Sequence, residues 1–259
     1  MKSLWNSFCI AFAMFSRIPV PRADWSGKNM RYMMCFFPWI GIPIGVLTWL
    51  VYEAGQYLQL NAAFLAVLLV LIPVVVTGGI HIDGLLDTAD ALSSWQERSR
   101  RLEILKDSHA GAFAVITCGV YFLLYYGVYS QMGERALPVI CISFCLSRTF
   151  SGLSVVTFPK AREDGTVAEF SRNAENLRVR NVLLVYLVLL AAGLLFLDFW
   201  LGLAALAAGG CAFLFYHHKA LKYFGGTTGD LAGYFLCICE LGIAFAAVLA
   251  ECIIRSMGI

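Results

Sequence analysis

Three carboxylates stand four and then three residues apart in the stretch Gly78-Gly79-Ile80-His81-Ile82-Asp83-Gly84-Leu85-Leu86-Asp87-Thr88-Ala89-Asp90-Ala91-Leu92. A helix turning about 100° per residue puts Asp83, Asp87 and Asp90 within about 60° of one another on one face. Like charges so arranged repel, and a divalent cation is the simplest reason to keep them together. Carboxylate oxygens suit Mg2+ or Mn2+. The plainer account makes Asp83 the N-cap, with Asp87 and Asp90 as early acids that complement the helix dipole. The accounts part on one point. As an N-cap, Asp83 leaves the helical angle and the acidic face loses its regularity.

Other polar groups punctuate an apolar chain. In Lys106-Asp107-Ser108-His109-Ala110-Gly111, Asp107 or Ser108 caps the next helix, or Lys106 meets a phosphate while Asp107 reaches a metal held by the first cluster. A helix N-terminus also attracts anions. Phe158-Pro159-Lys160-Ala161-Arg162-Glu163-Asp164-Gly165 reads either as a basic juxtamembrane loop or as a phosphate clamp, for which the arginine fork is shaped. Gly225-Gly226-Thr227-Thr228-Gly229-Asp230 permits close backbone approach, and Asp230 either caps a helix or binds a ligand. Arg148 and Glu240 lie inside apolar runs, each about ten residues or roughly 15 Å from the same end. Intramembrane charges are functional candidates by default, and a structural ion pair is the alternative. Of the four histidines, only His81 lies near the chemistry. An acidic helix with basic and glycine-rich loops at one membrane face points to phosphoryl transfer, with metal ions neutralising a diphosphate.

The elements that hold these residues must cross a bilayer. Sixty per cent of the residues are hydrophobic and 14% charged, a membrane composition. Seven largely uncharged runs are long enough to read as spans: 33–52, broken near its start by Pro38 and Pro43, then 62–77, 110–132, 136–158, 182–197, 199–216 and 231–250. Sixteen lysines and arginines then fall on one side and two on the other, with Arg148 inside a span. This bias puts the N-terminus in the cytoplasm and the long polar connections with it. Trp5, Phe8, Phe12 and Phe15 share one face before Arg17, so the N-terminus reads as an interfacial helix rather than a signal peptide. The nine cysteines lie mostly in apolar runs and read as reduced, buried hydrophobes. The expected architecture is all-α: one polytopic helical bundle over 1–259.

The ordered motifs resemble those of the adenosylcobinamide-GDP ribazoletransferases, also called cobalamin-5′-phosphate synthases. Phe15-Ser16-Arg17-Ile18-Pro19-Val20-Pro21, the acidic stretch, 102–113, the Ala161-Arg162…Gly165 turn and 225–230 carry the likeness over nearly the whole chain. Two positions depart from it: Ser16, where threonine is more usual, and His109, where a histidine is not, so His109 receives no role. The resemblance implies Mg2+-dependent joining of adenosylcobinamide-GDP to α-ribazole or its 5′-phosphate, with release of GMP, at a bacterial or archaeal cytoplasmic membrane. It implies metal binding by Asp83, Asp87 and Asp90, with Asp107 a further candidate. One of these carboxylates or His81 takes the hydroxyl proton. Arg17, Lys106 and Arg162 hold phosphates, and Thr228 and Asp230 contact substrate or metal. Arg148 and Glu240 join the substrate-binding set. The partners it implies are the two substrates and the lipid bilayer, with no nucleic acid. Self-association, or association with other enzymes of cobalamin assembly, stays open.

Two rival classes compete. CDP-alcohol and prenyl transferases also use aspartate-rich helices, but Asp83-Gly84 is followed by Leu85-Leu86-Asp87 rather than Ala-Arg, and a second strong aspartate motif is missing. A transporter would show repeated halves and paired broken helices, whereas the polar residues here gather at one face.

Overall fold

The computed structural model describes residues 2–107, 109–163, 172 and 174–258. Ser108, Asp164 and Gly165, named above, lie outside them. Among the described residues the fold is helical, and the single β-bridge joins Lys160 to Thr227. The elements in order are α1 (Lys2–Phe15), α2 (Gly27–Met30), α3 (Met33–Phe36), a 3-10 turn (Phe37–Ile40), α4 (Gly41–Tyr57), α5 (Ala62–Thr77), α6 (Ile80–Ser93), α7 (Arg98–Ile104), α8 (Ala112–Ser130) and α9 (Ala136–Thr157). They continue with α10 (Asn176–Leu197), α11 (Phe199–Lys219), a π turn (Ala220–Phe224) and α12 (Gly229–Ser256).

Among the described residues, six helical segments are long and apolar enough to cross a membrane, and α5 with α6 makes a seventh if that bent pair is one span. The expected break near Pro38 is the 3-10 turn. α5 has only 16 residues, about 24 Å at the helical rise, and α6 turns from it by 94°. Large apolar side chains such as Leu123, Val188, Phe196 and Leu214 point outward from α8, α10 and α11. So broad an apolar exterior suits lipid rather than water.

α9 is the axis of the bundle and packs against α4, α10, α11 and α12. Gly41 and Gly45 let α4 come in so close that a Cβ at either would stand 2.5 Å from α9 backbone atoms, the small-residue packing of membrane helices. The aromatic stripe of α1 does not lie free. Phe8 meets Phe36 and Trp39 edge-on, and Phe15 stacks near Phe37 at 4.5 Å.

The end-to-end contacts agree with the alternating topology. At one end α7, the 158–163 loop and the 225–230 turn meet. At the other, Arg135 pairs with Asp198 at 2.8 Å, and Glu251 accepts the Gly133 and Arg135 backbone N–H groups. These are the two sets of connections that the charge bias assigns to opposite faces.

Candidate functional site

The site begins with the corner between α5 and α6. Gly78 and Gly79 have φ of 67° and 81°, a left-handed pair that glycine adopts without strain. The Gly79 N–H donates to Val74 O at 3.1 Å and closes α5. Gly79 is also the N-cap of α6, so Asp83 is not: it sits inside the first turn. Asp83, Asp87 and Asp90 therefore keep helical angles and share one face. Arg17 is drawn to the same corner. Its backbone N–H donates to Val76 O at 2.7 Å, and its side chain lies where a Cβ on Gly78 would point.

α6 is pressed onto the start of α12. A Cβ on Gly84 would stand 2.6 Å from Asp230 O, and one on Gly233 would stand 3.2 Å from His81 O. The contact places Asp230 beside the acidic face, and Asp87 feels the charges of Asp83, Asp230 and Asp90. Gly84→Val is expected to push the two helices apart. Overpacking of this kind costs about 1–3 kcal/mol, so the melting temperature in detergent should fall together with activity; an unchanged melt with full activity overturns the contact.

Asp90 has a second task. Its two oxygens accept the Gly111 N–H at 2.5 Å and the Ala114 N–H at 2.9 Å, so it caps α8 from a distance in sequence. Of the two caps that the sequence offers for this helix, Asp107 is thereby displaced, and Ser108 lies outside the described residues. Asp107 is exposed and turned to His109 instead, accepting its backbone N–H at 3.0 Å and lying 2.7 Å from its Nδ1. Those hydrogen bonds hold the Asp107 carboxyl below its usual range.

Two loops close over the start of α12. Ala161 N–H donates to Thr227 O at 3.0 Å and Thr227 N–H to Pro159 O at 2.8 Å. Thr228 caps α12 by accepting the Leu231 N–H at 3.2 Å. Arg162 donates to Leu102 O on α7, and its charge reaches Asp230. Lys160, half-buried, donates to Phe158 O at 2.5 Å, and burial lowers its pKa to about 8. The Lys106 side chain is exposed on the linker before α8.

The sequence marks Arg98 and Arg101 only as loop charges, and Lys160 only as part of the stretch that reads as a juxtamembrane loop or a phosphate clamp. In the structure Arg98 covers Gly225, and Arg101 lies 4.8 Å from the Tyr223 ring with Nε buried and unpartnered. Lys219 and Lys222 approach the same ring at 4.9 and 5.2 Å. The signal available beforehand was positional: these cations flank the glycine-rich turn and the linker before α8.

Arg148 and Glu240 do pair, at 2.6 Å, with exposures of 0% and 6%. Ser147 Oγ also donates to Glu240, while Arg148 Nη1 reaches Phe144 O. Arg148 Nε and Nη2 are buried without a partner, as is Nε2 of His81, and the Arg148 charge bears on that imidazole. The charged pair is thus sealed behind the site.

Among the described residues no three His, Cys, Asp or Glu side chains converge closely enough to form a metal-ligand set. The donor chemistry nonetheless fits a hard divalent ion: four carboxylates in one field, all oxygen, on an otherwise apolar frame. A cavity of about 270 Å3 opens beside Asp83 and Asp230.

A polytopic helical membrane protein with a carboxylate cluster and a basic, glycine-rich rim at one end is thereby defined. Residues 7–248 match the family model described as cobalamin-5-phosphate synthase. A protein of Lachnoclostridium phytofermentans named adenosylcobinamide-GDP ribazoletransferase is 46% identical over 96% of this chain and 95% of its own length. Proteins of the same name from Clostridium botulinum and Desulfitobacterium hafniense are 30% and 31% identical, over 96% and 93% of this chain and 99% and 94% of their own lengths. No solved structure matches. The chain belongs to the cobalamin-5-phosphate synthase family and is a multi-pass membrane transferase of cobalamin biosynthesis.

Proposed function

We propose that the chain joins adenosylcobinamide-GDP to α-ribazole or its 5′-phosphate, releasing GMP, in a Mg2+-dependent reaction at the cytoplasmic face of the bacterial inner membrane. The observation that carries the reading is the α6–α12 contact, which brings Asp83, Asp87, Asp90 and Asp230 into one field, with the 158–163 loop hydrogen-bonded to the 225–230 turn beside it. The family supplies the reaction class. The sixteen-to-two bias of lysine and arginine supplies the orientation.

Asp83, Asp87 and Asp90, with Asp230, are the residues to hold Mg2+, and Asp107 stands at the edge of this set. A bound divalent ion offsets the charge of a diphosphate and of its leaving group. Arg17, Arg162 and Lys106 orient the phosphates of the corrinoid nucleotide, joined by Arg98, Arg101 and Lys160. Thr228 and Asp230 meet substrate at the N-terminus of α12, where the backbone favours an anion. The ribose 3′-hydroxyl attacks the phosphoryl group attached to cobinamide, and GMP departs. A carboxylate of α6 takes the hydroxyl proton. His81 is the poorer base, because burial disfavours its protonated form and the Arg148 charge adds to that. Arg148 and Glu240 act on substrate by fixing His81 from behind.

The test is an assay of the purified chain in liposomes with both substrates, following GMP and corrinoid product by chromatography. Product is expected with Mg2+ and is expected to vanish with EDTA, returning when Mg2+ is restored. Product formed equally well in EDTA overturns the metal role. Absence of product from folded protein overturns the reaction.

A further inference from the structure

Phosphates and a soluble nucleotide suit the basic rim, but the acceptor carries an apolar part as well. Ribazole is a nucleoside whose base is two fused rings bearing two methyl groups. One ring nitrogen carries the sugar and the other is a bare acceptor. Such a base needs a flat, mostly apolar slot close to the carboxylates, because its own ribose must present a hydroxyl there.

The cavity beside Asp83 is mostly apolar and has carboxylates in its lining. Met14 and Phe15 of α1, Met34 of α3, Phe37 of the 3-10 turn, Val155 of α9 and Leu236 of α12 make its apolar walls. Polar side chains enter from His81, Asp83, Ser151 and Asp230. Phe15 and Phe37 stand 4.5 Å apart, tilted by 47°, and Phe37 meets the His81 ring edge-on at 6.2 Å. Aromatic and thioether groups favour contact with a flat π-system. At about 270 Å3 the space falls just below the range of about 300–1,000 Å3 typical of whole drug-sized ligands. It therefore admits a ring pair and excludes a corrin macrocycle. Its lining combines two carboxylates with a mostly apolar remainder, as the sugar and base together require. His81 lines the same cavity, with its Nε2 buried and without a partner.

We propose that this cavity is the subsite for the benzimidazole-type base of the acceptor, and that its α9 and α12 walls set which bases are taken. The inference rests on the reading above that ribazole is the acceptor. Val155 and Leu236 line the slot from two different helices, so one can narrow it and the other widen it.

The test uses the full chain in liposomes with Mg2+ and adenosylcobinamide-GDP. The acceptors are ribazole 5′-phosphates carrying dimethylbenzimidazole, plain benzimidazole or the larger naphthimidazole. Val155→Phe is expected to raise KM for the dimethyl base by about tenfold or more, the size of a core overpacking penalty. The plain base should suffer less, and KM for the corrinoid should stay within about twofold. Leu236→Ala is expected to raise kcat/KM for naphthimidazole relative to dimethylbenzimidazole, a gain that a misfolded variant does not produce. If the wild type turns over while both variants leave the base ranking unchanged, or shift both substrates alike as a lipid-filled void would, the subsite is elsewhere. If the wild type makes no ribazole-derived product, the reaction itself fails and this inference with it.

Discussion

Asp87→Asn should cut turnover by about a thousandfold or more while leaving the protein inserted and folded. Asp87 stands in the middle of the acidic face, and the charges of Asp83, Asp230 and Asp90 all bear on it. Removing one charge weakens the hold on a divalent ion that is asked to supply several kcal/mol of charge stabilisation, and each 1.36 kcal/mol is about tenfold in rate. Stability should move the other way. In the absence of Mg2+ the native repulsion is relieved, so the Asn variant should melt at or above the wild-type temperature. Added Mg2+ should raise the wild-type melt by linkage and leave the variant nearly still. Asp83→Asn should behave similarly. Asp90→Asn tests the double duty of Asp90, because asparagine keeps one acceptor oxygen and so caps only one of the Gly111 and Ala114 N–H groups. Full turnover in all three variants overturns the cluster as the metal site. Melting scans with and without Mg2+ and a single-turnover assay decide it.

Much of this site was legible beforehand because its parts depend on local rules. The helical spacing of the aspartates needs only the pitch of a helix. The sidedness of the loops follows from charge bias, and the contacts now seen between Ala161 and Thr227, and between Arg162 and Leu102, agree with it. What stayed hidden was non-local. Asp90 reaching the N-terminus of α8 depends on how α6 lies against that helix, which no window of sequence records. The 94° turn after α5 was likewise invisible, since 62–77 satisfies the hydropathy test of a span whatever follows it. Arg98 and Arg101 looked like any juxtamembrane cations until the π turn brought Gly225 and Tyr223 to them. The cavity was the least legible part, because its walls come from α1, α3, the 3-10 turn, α6, α9 and α12.

Arg148→Met should be among the most damaging substitutions to stability, costing about 3–5 kcal/mol, because it strands the Glu240 carboxylate in the bundle with only Ser147 to donate to it. Glu240→Gln should cost somewhat less, since its amide can still accept from the guanidinium. The informative variant removes both charges. Replacing Arg148 by Met and Glu240 by Leu takes away the desolvation penalty along with the attraction, and such swaps are often neutral. The double variant is therefore expected to melt within about 1 kcal/mol of wild type. Turnover is a separate matter. The guanidinium stands behind His81 and leaves Nε and Nη2 without partners, an arrangement a mere strut has no need to keep. If the pair fixes the neutral form and the angle of that imidazole, the double variant should stay about tenfold down in kcat/KM for the ribazole substrate, roughly the worth of one well-placed hydrogen bond. A cycle of the two single variants and the double one, read by melting and by kinetics on both substrates, separates the cases. Recovery of stability and turnover together would make the pair a structural brace. Recovery of stability alone ties the buried charge to the chemistry at the membrane face.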